Sequence, residues 1–305
     1  MGDEGWLVAA LQRTLNARLD PSPGIGVDGD FGPQTEAAVL QFQRDRKLAV
    51  TGRVGKATWQ ALGTLVESDP AVPDPSIVNS ANLPQEPADR PEGPPVVSCR
   101  AWGIFDADDG KLLWGHDVDT PLDPASTTKM MTALVALRAA EQNPDLLHSD
   151  ITMSQRADAI EGSTSNVRAG ESLPLTEFLY GLLLPSGNDA SVAIGEHVGR
   201  WLNELADDGS AASDPLQRLV DEMNATADRL GLHETHFQNP HGLTAVDHVT
   251  SVRDLATIAR QAMQIARFRE IVGCRQHACV ARSDRGYERR ILWKNTNRLL
   301  GIDGY

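Results

Sequence analysis

The chain has 305 residues, 41% hydrophobic and 23% charged, the balance of ordinary globular protein and enough length for two domains. Its net charge of −14 argues against nucleic acid or an anionic membrane surface as main partner. No apolar run approaches the ~20 residues needed to cross a bilayer. The start, Met1-Gly2-Asp3-Glu4-Gly5-Trp6, lacks the basic region and apolar core of a signal peptide. Cys99, Cys274 and Cys279 form no metal-site pattern; their spacing fits one Cys274–Cys279 disulfide or three separate thiols.

Residues 1–64 read as a compact helical unit with an internal repeat. Val27-Asp28-Gly29-Asp30-Phe31-Gly32-Pro33-Gln34-Thr35 aligns, 23 positions on, with Val50-Thr51-Gly52-Arg53-Val54-Gly55-Lys56-Ala57-Thr58. Each copy is a glycine-punctuated turn leading into a helix, Gln34 to Arg46 in the first and Ala57 to Leu62 in the second. A preceding helix carries Leu7, Leu11 and Leu15 as one apolar stripe, against which Val39, Phe42, Trp59 and Leu62 are predicted to pack. The repeat residues, from Asp28-Gly29-x-Phe31-Gly32-Pro33-x-Thr35 to Phe42-Gln43 and then Gly52-x-Val54-Gly55-x-x-Thr58-Trp59, make this unit resemble the peptidoglycan-binding domain of cell-wall hydrolases. A helical spacer without a ligand is the plainer alternative.

Residues 65–96 change character. Prolines stand at 70, 73, 75, 84, 87, 91, 94 and 95 among Asp, Glu, Ser and Asn. Such a stretch reads as an extended acidic linker, able to span up to roughly 100 Å and to let a bound domain search a surface. Ser80-Ala81-Asn82 lies within it and matches a Ser-x-Asn pattern by coincidence.

The second domain, 97–305, opens with a predicted hairpin: Val97 to Phe105, a turn at Asp106-Ala107-Asp108-Asp109-Gly110, and a return from Lys111 to Trp114. Pro124-Ala125-Ser126-Thr127-Thr128-Lys129 then starts an apolar helical segment, Met130 to Ala140, with Asp123 placed to cap it. On a helix Ser126 and Lys129 share a face, so the amine can take the hydroxyl proton if burial lowers its pKa. Ser-x-x-Lys alone arises by chance about once in a chain of this length. Its weight comes from a second group of residues downstream. Leu173 to Leu184 reads as an apolar helix ending at Pro185-Ser186-Gly187-Asn188-Asp189, where a hydroxyl and a carboxamide could relay a proton and hold a substrate amide. Further helices are predicted from Asp189 to Val198, over Leu216 to Leu230 with a stop at Gly231, and from a Ser251/Asp254 capping box through Ile265. Strand residues return near Ile291 to Trp293.

The two motifs are joined by Glu161-Gly162-Ser163, Gly170-Glu171, Thr235-His236-Phe237-x-Asn239-Pro240-His241-Gly242-Leu243 and Asn295-Thr296-Asn297. Together they make residues 97–305 resemble the serine-type D-alanyl-D-alanine carboxypeptidases, the low-molecular-weight penicillin-binding proteins. The resemblance implies a multidomain chain: a small all-α three-helix module, then an α/β (α+β) domain of DD-peptidase/β-lactamase-like fold, C-terminally incomplete. It implies that Ser126 attacks the bond between two D-alanines and forms an acyl-enzyme. Lys129 accepts its proton, and Ser186 helps pass that proton to the leaving D-alanine. Asn188 orients the substrate or Lys129, and the Ser126 N–H supplies half of an oxyanion hole. Substrate binding is assigned to Ser126 and Asn188, while His236 and His241 belong to a structural loop. Peptidoglycan is the implied partner and β-lactams the implied inhibitors, at an extracytoplasmic location in periplasm or cell wall. Neither metal nor cofactor is implied.

The family's third motif, Lys-Thr-Gly, follows a segment like Asp303-Gly304-Tyr305, so the sequence stops where that motif begins. The expectation is a fragment of a longer exported protein, inactive as written or poorly folded in its second domain, with unpaired edges on the Val97–Trp114 hairpin. Two alternatives stand beside the enzyme: a non-catalytic wall-binding protein with a relic peptidase domain, and, third, a β-lactamase. Against the last, Gly187 stands where β-lactamases carry aspartate, and no deacylating glutamate loop is evident.

Overall fold

A computed structural model describes residues 5–27, 29–66, 72–86, 97–206, 214–283 and 286–303. Asp28 of the first repeat, parts of the 65–96 stretch, Gly304 and Tyr305 lie outside the described residues.

The N-terminal module contains α1 (Trp6–Arg18), α2 (Pro33–Asp45) and α3 (Lys56–Leu62). Leu11, Leu15, Val39, Phe42 and Leu62 form its core, with Trp59 packed against it. Leu7, predicted on the same stripe, is 43% exposed, and Val8 is buried in its stead. The 23-residue repeat has a hydrogen-bonding cause. Gly29 and Gly52 both adopt left-handed φ, +80° and +67°, which glycine enters without strain. Their N–H groups donate to the buried amides of Gln12 and Gln43, each at 3.0 Å. The same amides donate to Thr35 and Thr58, again at 3.0 Å. Each turn is thus locked to its helix by one glutamine and one threonine.

The stretch predicted to be a free, extended linker is tied to the larger domain where it is described. Asp74 caps α4 (Pro75–Ser80), with Pro75 in the first turn. Asn79 accepts from the Ala278 N–H at 2.7 Å and donates to the Ala278 carbonyl at 3.0 Å. Val78 is buried. Arg275 donates to the carbonyls of Leu83 and Pro84, and Glu86 bridges to Ile302. The short helix gains a strand backbone for Asn79 to bond and burial for Val78, neither of which composition displays.

In the larger domain, β1 (Trp102–Phe105) and β2 (Leu112–His116) form an antiparallel two-stranded sheet that rests on α10 (Val252–Met263). It is shorter at its start than predicted, and Leu113 and Trp114 are exposed. A 3₁₀ turn, Ala125–Thr128, leads into α5 (Lys129–Gln142). Met131, Ala133, Leu134, Val135, Ala136 and Leu137 of α5 are all buried, so this helix is the axis of the domain. Around it pack α7 (Leu175–Leu183), α8 (Asn188–Glu204), α9 (Pro215–Arg229), α10 and α11 (Ala266–Gly273). Fully buried Phe178 and Phe237 each contribute on the order of 2–3 kcal/mol through removal of apolar surface from water.

A four-stranded antiparallel sheet, β3 (Asp150–Thr152), β4 (Glu171–Pro174), β5 (Gln276–Ser283) and β6 (Glu288–Lys294), flanks the helices in that order. The short helix α6 (Gln155–Asp158) leads into the 159–170 loop. Leu173, predicted as helix, belongs to β4, because Pro174 ends the strand and α7 starts after it. Ser251 caps α10 as predicted, accepting from the Asp254 N–H at 3.1 Å. Asp254 does not return the bond; its carboxylate holds Glu234 and Thr235 instead. The helix stops at Met263, and Ile265 precedes α11. All three cysteines are free thiols. Among the described residues no helix is long and apolar enough to cross a membrane.

Candidate active site

Ser126 sits in a strained turn. Asp123 accepts from the Ala125 N–H at 3.0 Å, and Ala125 takes a left-handed φ of 46°. A residue with a β-carbon pays about 1–2 kcal/mol there. The turn leaves Ser126 exposed while Thr128 and Lys129 are buried, so the hydroxyl faces solvent and the amine faces protein.

Loop 235–250 clamps this turn. Leu122 and Thr250 exchange backbone hydrogen bonds at 2.8 and 2.9 Å. Thr244 donates to Asp123, whose carboxyl is held below its usual range by that bond and by the Ala125 N–H. Gly242, at φ +89°, lies so close that a β-carbon on it would fall 1.8 Å from the Ala125 carbonyl oxygen. Buried His248 accepts from the Gln238 N–H through Nδ1 at 2.9 Å, so its proton sits on Nε2, which reaches Thr128 Oγ1 at 3.0 Å. Burial holds the His248 imidazole below its ordinary pKa and therefore neutral.

Lys129 is the centre of the polar contacts. Its Nζ lies 3.1 Å from Ser126 Oγ, 2.7 Å from Asn188 Oδ1 and 2.8 Å from the His241 carbonyl oxygen. Burial lowers its pKa to about 8, partly opposed by the charge of Asp189. Three acceptors match the three hydrogens of the charged amine. When it loses one, its lone pair needs a donor, and of its three neighbours Ser126 alone carries a hydrogen to give. The arrangement therefore turns deprotonation of Lys129 into a hydrogen bond from Ser126 Oγ to Nζ.

Asn188 opens α8 and is held on both sides. Its N–H donates to the Ser163 carbonyl and its Nδ2 to the Glu161 carbonyl, each at 2.7 Å. Asp189 anchors the same loop, accepting from Thr164 Oγ1 at 2.7 Å and from the Ser165 N–H and hydroxyl. Burial pushes its carboxyl pKa up against those bonds.

Ser126, Lys129 and Asn188, three of the four predicted catalytic residues, thus share one hydrogen-bonded chain. Ser186, at φ 65°, lines the same cleft of about 560 Å³ but forms no hydrogen bond through its hydroxyl among the described residues. Asn295, Thr296 and Asn297 line it too, tied beside Ser186 by the Thr296 N–H on the Leu184 carbonyl at 3.1 Å, with Leu182, Met263 and Phe268 supplying apolar wall. His236 is an exposed side chain bonded to the Asp247 carbonyl, away from Lys129. The His241 imidazole accepts from the Leu243 N–H, and burial and then the Lys129 charge lower its pKa to about 4. Its backbone carbonyl is what meets Lys129. No side-chain motif in the sequence marks that carbonyl, Glu161 or His248 for the site; the string Asn239-Pro240-His241-Gly242 is the signal for the first.

Residues 88–305 match the D-alanyl-D-alanine carboxypeptidase family, and residues 4–62 match a peptidoglycan binding domain family. The D-alanyl-D-alanine carboxypeptidase DacF of Bacillus subtilis (strain 168) is 31% identical over 206 residues, 66% of this chain and 48% of its own. The D-alanyl-D-alanine carboxypeptidase of Streptomyces sp. (strain K15) is 29% identical over 232 residues, 74% of this chain and 75% of its own. The chain therefore spans about half the length of the first of these relatives and three quarters of the second. The crystal structure of the Streptomyces K15 DD-transpeptidase superposes with a TM-score of 0.58 at 29% identity, covering 68% of this chain and 76% of that one.

Proposed function

The chain belongs to the D-alanyl-D-alanine carboxypeptidase family, and on that premise we propose that it removes the terminal D-alanine from peptidoglycan stem peptides through an acyl-enzyme on Ser126. The observation carrying this reading is the Ser126–Lys129–Asn188 chain with a lysine whose pKa lies near neutrality. As Ser126 Oγ bonds to the scissile carbonyl carbon, its proton passes to Lys129 Nζ. The carbon–nitrogen bond then breaks, and the proton reaches the departing D-alanine amine, with Ser186 on the cleft wall as the relay. Water next cleaves the ester and restores Ser126. Asn188 holds Lys129 in register, and the Ser126 N–H faces the developing oxyanion.

The N-terminal module is the wall-binding part of this reading, with residues 1–64, 65–96 and 97–305 as binding, connecting and catalytic segments. The setting is the cell wall outside the cytoplasm, and β-lactams acylate Ser126. The test is release of free D-alanine from a stem peptide ending in D-Ala-D-Ala by the native protein isolated from its cells. Release that disappears in Ser126→Ala supports the reading. No release, with sacculus binding retained by the module, points to a non-catalytic wall-binding protein. Rapid turnover of a chromogenic cephalosporin points to a β-lactamase. Adding an amine acceptor separates hydrolysis from transpeptidation, the activity for which the Streptomyces K15 DD-transpeptidase is named.

A further inference from the structure

The N-terminal module is not free to wander. Thr64 and Val66, at its end, are tied back to α1, by Arg18 Nη2 to the Thr64 carbonyl at 3.0 Å and by the Val66 N–H to Thr14 Oγ1 at 2.9 Å. From Asp74 onward the chain is tied to the larger domain, by an Asp74–Arg290 ion pair at 3.0 Å and by Asn79 on β5. Between Val66 and Asp74 even a fully extended chain reaches only about 30 Å, far short of the search radius that composition implied.

Within that reach the module bonds to one particular loop. Gln34, in the first turn of α2, donates to the Asp158 carbonyl at 2.9 Å. Near the loop's other end stands Gly24, where an added β-carbon would meet Thr164 Cγ2 at 3.6 Å, so module and loop lie close there without a side chain between them. The residues just after Asp158 hold Asn188: Glu161 and Ser163 through their carbonyls, Thr164 through Asp189. Asn188 in turn holds Lys129.

We infer that the N-terminal module is a positioning element of the catalytic cleft, docked through Gln34 on the 158–164 loop, as well as a wall anchor. This rests on the proposed acyl-transfer reading for its kinetic consequence, though the docking stands on geometry alone. Gln34 touches no reacting atom; it acts through the loop and Asn188. Contact along a path is not yet coupling, so the test perturbs the docking contact and reads the far end.

The native protein is compared with Gln34→Glu, which replaces the donor by an acceptor facing a carbonyl, and with Gln34→Lys, which keeps a donor at similar reach. Two readouts are taken without any wall material present: the acylation rate constant and initial affinity for a β-lactam, and amide hydrogen exchange across 157–165. Gln34→Glu is expected to slow the acylation step roughly three- to thirtyfold, since small misplacements of a reacting group are costly, with initial affinity little changed. Exchange should quicken in 157–165 and nowhere else in the larger domain, and Gln34→Lys should stay near the native protein on both counts. Equal acylation and equal loop exchange in all three proteins would overturn the inference. If the native protein itself is not acylated, the failure falls on the proposed function, and loop exchange alone decides the docking. If Gln34→Glu unfolds and exchanges quickly throughout, Gln34→Ala, which removes the donor without adding charge, carries the comparison with the same expected and contrary results.

Discussion

Asn188→Asp is the most discriminating substitution at the site. It is nearly isosteric, and it places a carboxylate where an amide oxygen now lies 2.7 Å from Lys129 Nζ. With a pKa of about 8, roughly a tenth of the lysine is in its free-base form at pH 7; at its ordinary 10.5 the share is about three in ten thousand. A unit negative charge at 2.7 Å contributes about 6 kcal/mol at an effective dielectric of 20, more than four pKa units. Even half of that returns Lys129 to its ordinary range and cuts the free base at least about a hundredfold at pH 7. The assay is the rate of β-lactam acylation against pH. The native protein should show a rising limb with an apparent pKa near 8, and Asn188→Asp should show that limb above about 10, with a rate at pH 7 lower by about a hundredfold or more. The substitution also loses the Nδ2 bond to Glu161. A loosened loop lowers the plateau but does not move the limb upward. An unshifted limb, with a rate within a few fold of native, would refute Lys129 as the base.

Gly242→Ala forces a β-carbon to 1.8 Å from the Ala125 carbonyl at φ +89°. It should lower stability by about 2–4 kcal/mol, seen as a fall in Tm, and slow acylation because the displaced atom neighbours Ser126. His248→Ala leaves the Gln238 N–H and Thr128 hydroxyl without their partner, at about 1–3 kcal/mol per unsatisfied group, readable by denaturant titration. Glu171 is fully buried and paired with Arg289 at 2.6 Å. Burial alone would raise its pKa, but the Arg289 bond and charge outweigh that and hold it low. Its stabilisation is therefore present above the unfolded carboxyl value and lost as pH falls through the lower folded one. Arg289→Met should cost about 3–5 kcal/mol at pH 7 by stranding that charge, and the native pH dependence of stability in the acid range should flatten.

Much of this architecture is legible in the sequence because local rules and tertiary packing agree there. The repeat turns, the α9 stop at Gly231 and the Ser251 cap announce themselves through residues whose backbone or side chain does one local task. Ser126 and Lys129 meet because three-residue spacing alone brings them onto one face, even though the turn before α5 is 3₁₀ rather than α. The failures share a different cause. Pro75–Ser80 looks incapable of folding until the β5 backbone, some 200 residues away, offers Asn79 a partner. Leu173 reads as helix because apolarity does not distinguish a buried strand from the helix it adjoins. The His241 carbonyl is invisible to any motif that registers side chains alone, and so is Gln34 on Asp158, a contact between segments that look independent.

The central claim is that Ser126 is the nucleophile, activated by Lys129. Its most direct test is peptide mapping by mass spectrometry of the native protein after exposure to benzylpenicillin, above and below the lysine's pKa of about 8. A covalent penicilloyl adduct on the peptide containing Ser126, accumulating faster above that pH and absent in Ser126→Ala, is the predicted result. An adduct on another residue, or none on a folded protein, would contradict it.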